Sequence, residues 1–397
     1  MNSASEEKPV YNIPSSWEEK EINPDTGETN SNETENASLG NADSDKEDSE
    51  IEELLGEALF ADFKGVGKHE TGSTNTSDFM HNAMSSIVCS DKQGTIYYVN
   101  YGTYEDNYIY SYRDGKRELL VDKICNFVNL YERSLYFLVS ETPPDSLAFS
   151  WGGKLYRYDL DTKDTELLLD EKVCNLYVSD GVMYFCDELR ADKDEKTSGN
   201  EWYSMKIGDA MPEKMGRLLP FFYGDYQLAY SNGDNWITGL VLTDGKEDIP
   251  VINETYLRIY SYTIVGGKLW ISFRTEENIP AVAAVNLADG THKIYPGTYT
   301  SARKSMGNVG YPFAIIDDRI YAQAGSMIVA YDESQGYFDI LMFDQTMYEG
   351  LYTDGEYLYG LAFYGELYGQ RTNAIVRIKP NAAQITLDSN LREVISE

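Results

Sequence analysis

The chain has 397 residues, 66 of them acidic against 33 basic, and a formal net charge of −33. That balance argues against nucleic-acid binding, which needs Lys and Arg presented to phosphates, and against direct contact with an anionic membrane. Four cysteines without a Cys-x-x-Cys pair do not encode a zinc ribbon. Of the three histidines only His292 follows Ser86, so a multi-histidine metal centre in the folded part is excluded by counting.

Residues 1–85 carry 20 Asp and Glu against five Lys, and Tyr11 is their only tyrosine. Such a stretch buries too little apolar surface to offset the entropy of ordering. It is expected to be a disordered acidic tether whose removal leaves the fold intact. One segment, Ile51 to Phe60 (IEELLGEALF), predicts a short amphipathic helix. The opening MNSASEEKPV has neither a basic start nor an apolar core, so no export leader is expected within this chain. An extracellular or cell-surface location is expected, with the cytoplasm as the alternative.

From Ser86 the character changes. Tyrosines and β-branched residues recur between DG, GG and GD turns, and no long stretch has helical periodicity. One unit repeats: a short apolar strand, a tight turn, then a strand with an aromatic near its start. It occurs in SIVCSDKQGTIYYVN, FVNLYERSLYFLV, CNLYVSDGVMYFCD, YQLAYSNGDNWITGL, YTIVGGKLWISF, FAIIDDRIYAQA and EGLYTDGEYLYGLA. The anchors are Tyr97, Tyr136, Tyr184, Trp236, Trp270, Tyr321 and Tyr359, averaging near 44 residues apart. Second hairpins follow most of them, the last in AIVRIKPNAAQITLD. This spacing predicts an all-β fold, a β-propeller of four-stranded antiparallel blades, seven in number with six as the alternative. The propeller is expected over residues 86–390, followed by a short tail, 391–397. The fourth unit is weak, because Trp236 runs almost directly into LVLTDGKEDIPVI. The anchors are expected to pack between blades. The four cysteines are expected to be buried thiols, with a Cys174–Cys186 bridge across one hairpin as the alternative.

The pieces KLYRYDLDTKDTELLL, GTIYYVN, GEYLYGLA and YIYSYRDGKRELL resemble a bacterial propeller domain of unknown function, related to the YWTD repeats of low-density-lipoprotein receptors. A looser likeness is to TolB-type propellers. The strict YWTD tetrapeptide is absent. The resemblance implies a propeller over about Ser86 to Asn390, exported or displayed on Gram-positive bacteria, with no assigned chemistry.

No catalytic motif stands out. There is no G-x-S-x-G, P-loop or EF-hand, and Glu188 to Lys196 lacks the spacing of a calcium loop. No catalytic residue, metal ligand or cofactor is expected. The expected role is a non-catalytic binding or scaffold module with an unknown protein or glycan partner, monomeric. The alternatives are a carbohydrate-active enzyme using an acidic pair and a cytoplasmic interaction propeller. First-to-second turns are tight throughout. The connections Glu141 to Gly153, Glu188 to Glu201, Gly297 to Pro312 and Tyr364 to Asn373 look long. Loops on rigid scaffolds carry binding, so the long-loop face is the expected working face. Its candidate contacts are Trp151, Trp202, Arg274, Arg303, Tyr364 and Arg371.

Overall fold

The computed structural model describes residues 59–60, 63–69, 87–100, 107–141, 152–187, 202–231, 238–255, 259–274, 280–299, 304–305, 313–324, 327–343, 347–367, 370–380 and 392–394. Within them alternating apolar residues build strand after strand, and six sheets form. Sheet A holds β1 (Val88–Ser90), β2 (Ile96–Val99), β3 (Ile109–Arg113) and β4 (Lys116–Val121). Sheet B has seven strands: β5 (Cys125–Tyr131), β6 (Ser134–Val139), β7 (Gly152–Asp159), β8 (Thr165–Ser179), β9 (Val182–Asp187), β10 (Trp202–Lys206) and β11 (Glu213–Gly216). Its long β8 pairs first with β7 and then, past a bulge, with β9, so it serves two successive units.

Sheet C holds β12 (Leu218–Tyr223), β13 (Tyr226–Tyr230), β14 (Thr238–Thr243) and β15 (Asp248–Thr255). Sheet D holds β16 (Ile259–Val265), β17 (Lys268–Arg274), β18 (Pro280–Asn286) and β19 (His292–Pro296). Sheet E holds β22 (Phe313–Ile316), β23 (Arg319–Ala324), β24 (Met327–Asp332) and β25 (Tyr337–Phe343), with β20 (Thr298–Tyr299) and β21 (Lys304–Ser305) added at its edge. Sheet F holds β26 (Met347–Thr353), β27 (Leu358–Leu367), β28 (Gln370–Ile378) and β29 (Arg392–Val394). Strands neighbour one another in chain order and pair antiparallel; the described exception is the parallel contact of β20 with β25.

The sheets pack in sequence. Tyr97, Ile109, Val128 and Phe137 share one core between A and B, and Phe127, Leu155, Leu176 and Phe185 fill the interior of B. Tyr184, Leu228, Leu242, Ile271 and Val285 join B, C and D. Trp270, Tyr295, Phe313 and Phe338 join D to E, and Ala314, Ile328, Leu351 and Val376 join E to F. The last sheet returns to the first: Tyr352, Tyr359 and Ile375 of F lie in the core of A. Lys92 Nζ donates to the Asp354 carbonyl at 2.7 Å, and Arg377 lies 5.8 Å from the Tyr112 ring centroid. This closed chain of sheet-on-sheet contacts is propeller-like, and the class is all-β, as the repeat implies.

The anchors behave as packing residues. Tyr97, Tyr136, Tyr184, Trp270, Tyr321 and Tyr359 are all buried on the second strand of their units. The fourth anchor is corrected. The hairpin there is β12–β13, turning at Gly224 and Asp225, and the position matching Trp270 is the buried Leu228. Trp236 lies between β13 and β14, outside the described residues. The NGD expected to turn the first hairpin lies in that same connection.

Three more expectations change. In place of a C-terminal tail at 391–397, Arg392–Val394 forms the fourth strand of sheet F, pairing Val376 with Val394. The connection Tyr364 to Asn373 is largely a continued hairpin, with Glu366 opposite Arg371 and Leu367 opposite Gln370. The leader does not stay clear of the sheets. Leu59, Phe60 and Phe63 are buried in the B–C–D core. Leu59 and Phe60 are helical; the rest of the predicted helix, Ile51 to Ala58, lies outside the described residues. No disulfide joins the cysteines. Cys89, Cys125 and Cys186 are buried thiols and Cys174 is partly buried. Burial pushes the Cys89 and Cys125 thiols well above their ordinary pKa.

Candidate functional site

Of the six expected contact residues, only Trp202 has a described side chain. Trp202 is only 5% exposed and packs in the core between sheets B, C and D. Its Cα is paired with Cys186 on one side and Gly216 on the other, which keeps the indole within the sheet stack. Arg274 ends β17 opposite Pro280. Tyr364 lies in the bulged stretch of β27, and Arg371 sits on β28. Trp151 and Arg303 lie outside the described residues.

The described cavities lie at the other end of the sheets, where the first-to-second and third-to-fourth turns gather. Antiparallel order puts both turns of a sheet at one end. Where two sheets adjoin, the first-to-second turn of one sheet meets the third-to-fourth turn of the next, leaving a notch. Three such notches are formed by described residues.

The notch between E and F has a volume of about 880 Å³. Asp317 and Asp318 from the β22–β23 turn and Arg319 at the start of β23 line it, with Asp332 at the end of β24 and Glu333 after it, Gly355 and Glu356 before β27, and Lys379 and Pro380 after β28. Ile316, Ile320, Tyr295, Tyr321, Tyr331 and Asp339 complete it. Asp317 and Asp318 both have positive φ, 50° and 62°, and turn the chain within two residues. Six carboxylates face two cations in this lining. Lys268 Nζ lies 3.0 Å from Asp318, and Lys293 pairs with Glu333, which offsets part of the acidic excess.

The side chains are fixed by local hydrogen bonds. The Ser334 hydroxyl and amide both donate to Asp332 Oδ1, at 2.6 and 2.8 Å. These bonds, the hydroxyl's first, hold the Asp332 carboxyl below its ordinary pKa and keep it ionised. The Tyr295 ring meets Tyr331 edge-on at 4.9 Å, and burial pushes the Tyr295 phenol up to about 12. The notch therefore presents fixed negative charge beside neutral aromatic rings, an arrangement suited to cationic side chains on an extended chain.

The notch between A and B is smaller, about 400 Å³, and more basic. Thr95, Tyr97, Arg113, Lys116, Arg133 and Lys163 line it, with Asp114 and Glu118. One ion pair crosses it, Lys163 to Glu118 at 2.9 Å, while Arg133 pairs at 2.6 Å with Asp161 of its own sheet.

The notch between C and D is filled by the chain itself. Residues 63–69 run between the β12–β13 turn and the β18–β19 turn. Val66 N donates to the Leu287 carbonyl at 2.8 Å and Gly67 N to the Ala288 carbonyl at 3.0 Å. The Tyr223 hydroxyl donates to the Gly67 carbonyl at 3.0 Å. The His69 ring lies edge-on to Tyr223 and Tyr226, each 5.3 Å away, and Phe60 lies 5.0 Å from the His292 ring. The strap needs glycine on both sides of its closest approach. Gly65 has φ +82°, and a Cβ there would fall 2.4 Å from the Ala288 oxygen. Gly290 has φ +76°, and a Cβ there would fall 2.4 Å from the Phe63 oxygen.

No family model matches the chain, and a search of curated proteins finds no match. Solved structures align over most of it. A prolyl endopeptidase structure is 13% identical at a TM-score of 0.48, covering 86% of this chain and 50% of that one. An acylaminoacyl peptidase of Pyrococcus horikoshii is 11% identical at 0.47, covering 77% and 52%. A puromycin-hydrolysing peptidase of Mycobacterium tuberculosis is 11% identical at 0.49, covering 84% and 55%. This chain thus spans about half the length of these structures. The expectation of a non-catalytic binding or scaffold module that is not an enzyme runs against these alignments, whose structures are of peptidases and of which this chain spans only about half.

Proposed function

We propose that the chain is a propeller-like, polypeptide-recognising part of a peptide-processing protein, and that the notch between sheets E and F receives an extended cationic stretch of its substrate. One observation carries this reading. In the equivalent notch between C and D, a stretch of polypeptide is already bound, by backbone hydrogen bonds to the Leu287–Ala288 turn and by aromatic side chains. The E–F notch offers the same combination of turns with an open volume, three tyrosines and an excess of carboxylates. Peptide processing is what the names of the aligned peptidases say of those proteins; here it supplies the setting for the notch.

The proposal includes seven four-stranded blades. With Leu228 as the fourth anchor, the second-strand positions 97, 136, 184, 228, 270, 321 and 359 are 39, 48, 44, 42, 51 and 38 apart. The irregular steps of 52 and 34 that Trp236 requires are gone. Sheet B then contributes two blades joined through β8. Kinship with YWTD-type repeats and a location outside the cell belong to this reading too, on the strength of the repeat pattern.

The test is fluorescence anisotropy with labelled peptides of equal length that are Arg/Lys-rich, neutral or Glu-rich. The Arg/Lys-rich peptide should bind best and weaken with salt. Asp317→Asn together with Glu356→Gln should reduce its affinity by about tenfold. Equal binding of the three peptides, or binding unaffected by the double substitution, would refute the assignment.

A further inference from the structure

We infer that the C–D notch is a docking site for the Leu59–His69 segment that can be filled from a second copy of this chain as well as from its own. The segment is a short apolar motif set in polar sequence. SNETENASLGNADSDKEDSE precedes Ile51, and ETGSTNTSD follows His69. Its described attachment is local: the buried Leu59, Phe60 and Phe63, the partly buried Val66, two backbone hydrogen bonds to sheet D, the Tyr223 hydroxyl, and the ring contacts of Phe60 and His69. Leu59, Phe60 and Phe63 enter a core supplied by Leu242, Leu269, Val285 and Ile294 of sheets C and D.

None of these contacts reads the connection between His69 and β1. Any copy of the segment that reaches the notch makes the same bonds. Attachment in cis has the advantage of a high effective concentration, so the chain's own segment wins in dilute solution. At high protein concentration exchange between copies costs no contact and joins two chains, the logic of element swapping.

The test starts from the full chain with a protease site inserted between residues 70 and 86, cut after folding. A fluorescein-labelled peptide spanning residues 57–70 is then added. The cut protein should take it up saturably, one per chain, displacing its own segment, while uncut protein should take it up far more slowly. A peptide with Phe60→Ala and Phe63→Ala should bind at least about a hundredfold more weakly. Gly290→Ala, which places a Cβ against the Phe63 carbonyl, should block uptake while the sheets keep their circular dichroism. Equal uptake of the wild-type and doubly substituted peptides would overturn the inference. So would no uptake by a cut protein that keeps its fold, or unfolding of the protein on cutting. Binding of the cationic peptide at the E–F notch is read separately, so either proposal can fail alone.

Discussion

Trp270→Ala tests the packing between sheets D and E most sharply. Trp270 is fully buried among Val282, Tyr295, Phe313, Ile320, Tyr331 and Phe338. Its ring stacks on Tyr295 at 5.9 Å, and its Nε1 donates to the Val265 carbonyl at 3.3 Å. Emptying such a site costs about 3–5 kcal/mol, and the lost bond adds about 1 kcal/mol. The sum, about 4–6 kcal/mol, is a large share of a typical stability of about 5–15 kcal/mol. With a urea slope of about 3 kcal/mol per molar, the midpoint should fall by about 1.3–2 M. The assay is urea unfolding followed by circular dichroism, with Trp270→Phe as the conservative control. Because Tyr295 also lines the E–F notch, cationic-peptide affinity should fall with stability. An unchanged midpoint in Trp270→Ala would show that this ring is not an inter-sheet anchor.

Tyr359→Phe removes the hydroxyl that donates to the buried Asp354 Oδ2 at 2.8 Å, where sheet F closes on sheet A. A loss of about 1–3 kcal/mol in unfolding free energy is expected; no loss would deny that contact a role in closure. Deleting residues 1–46 should leave the melting temperature unchanged, whereas deleting 1–69 should lower it, since only the second removes Leu59, Phe60 and Phe63. Cationic-peptide binding should persist at neutral pH and fade as pH drops through the carboxylate range near about 4. Asp332, whose pKa is lowered by the Ser334 hydrogen bonds, stays ionised below the ordinary Asp range. A peptide titration from neutral pH down through that range reads this directly.

The repeat makes most of the architecture legible, because a buried aromatic on the second strand recurs at a spacing set by four strands. The fourth unit departs from it. The anchor there is Leu228, and Pro220 interrupts the apolar run of its first strand, while the nearby Trp236 and NGD imitate the motif. The last strand departs too: NAAQITLD alternates like a strand but lies outside the described residues, and the described partner of β28 there is Arg392–Val394. The strap is legible only as far as the helix expected over Ile51 to Phe60; nothing local marks Phe63 to His69, and only a notch between distant turns gives them something to pack against. Loop length points to the opposite end of the sheets for the same reason. Length is visible in sequence, whereas the meeting of a tight turn with its neighbour's tight turn arises only once the sheets are stacked.

The most direct measurement of the central claim is photo-cross-linking of an Arg/Lys-rich peptide to the full chain, with the labelled sites mapped by mass spectrometry. Labels should concentrate in residues 316–321, 331–339 and 355–357, and disappear with Asp317→Asn and Glu356→Gln. Labelling concentrated in 141–153 and 188–201, the connections that follow β6 and β9 in the chain, and insensitive to that double substitution, would contradict the account.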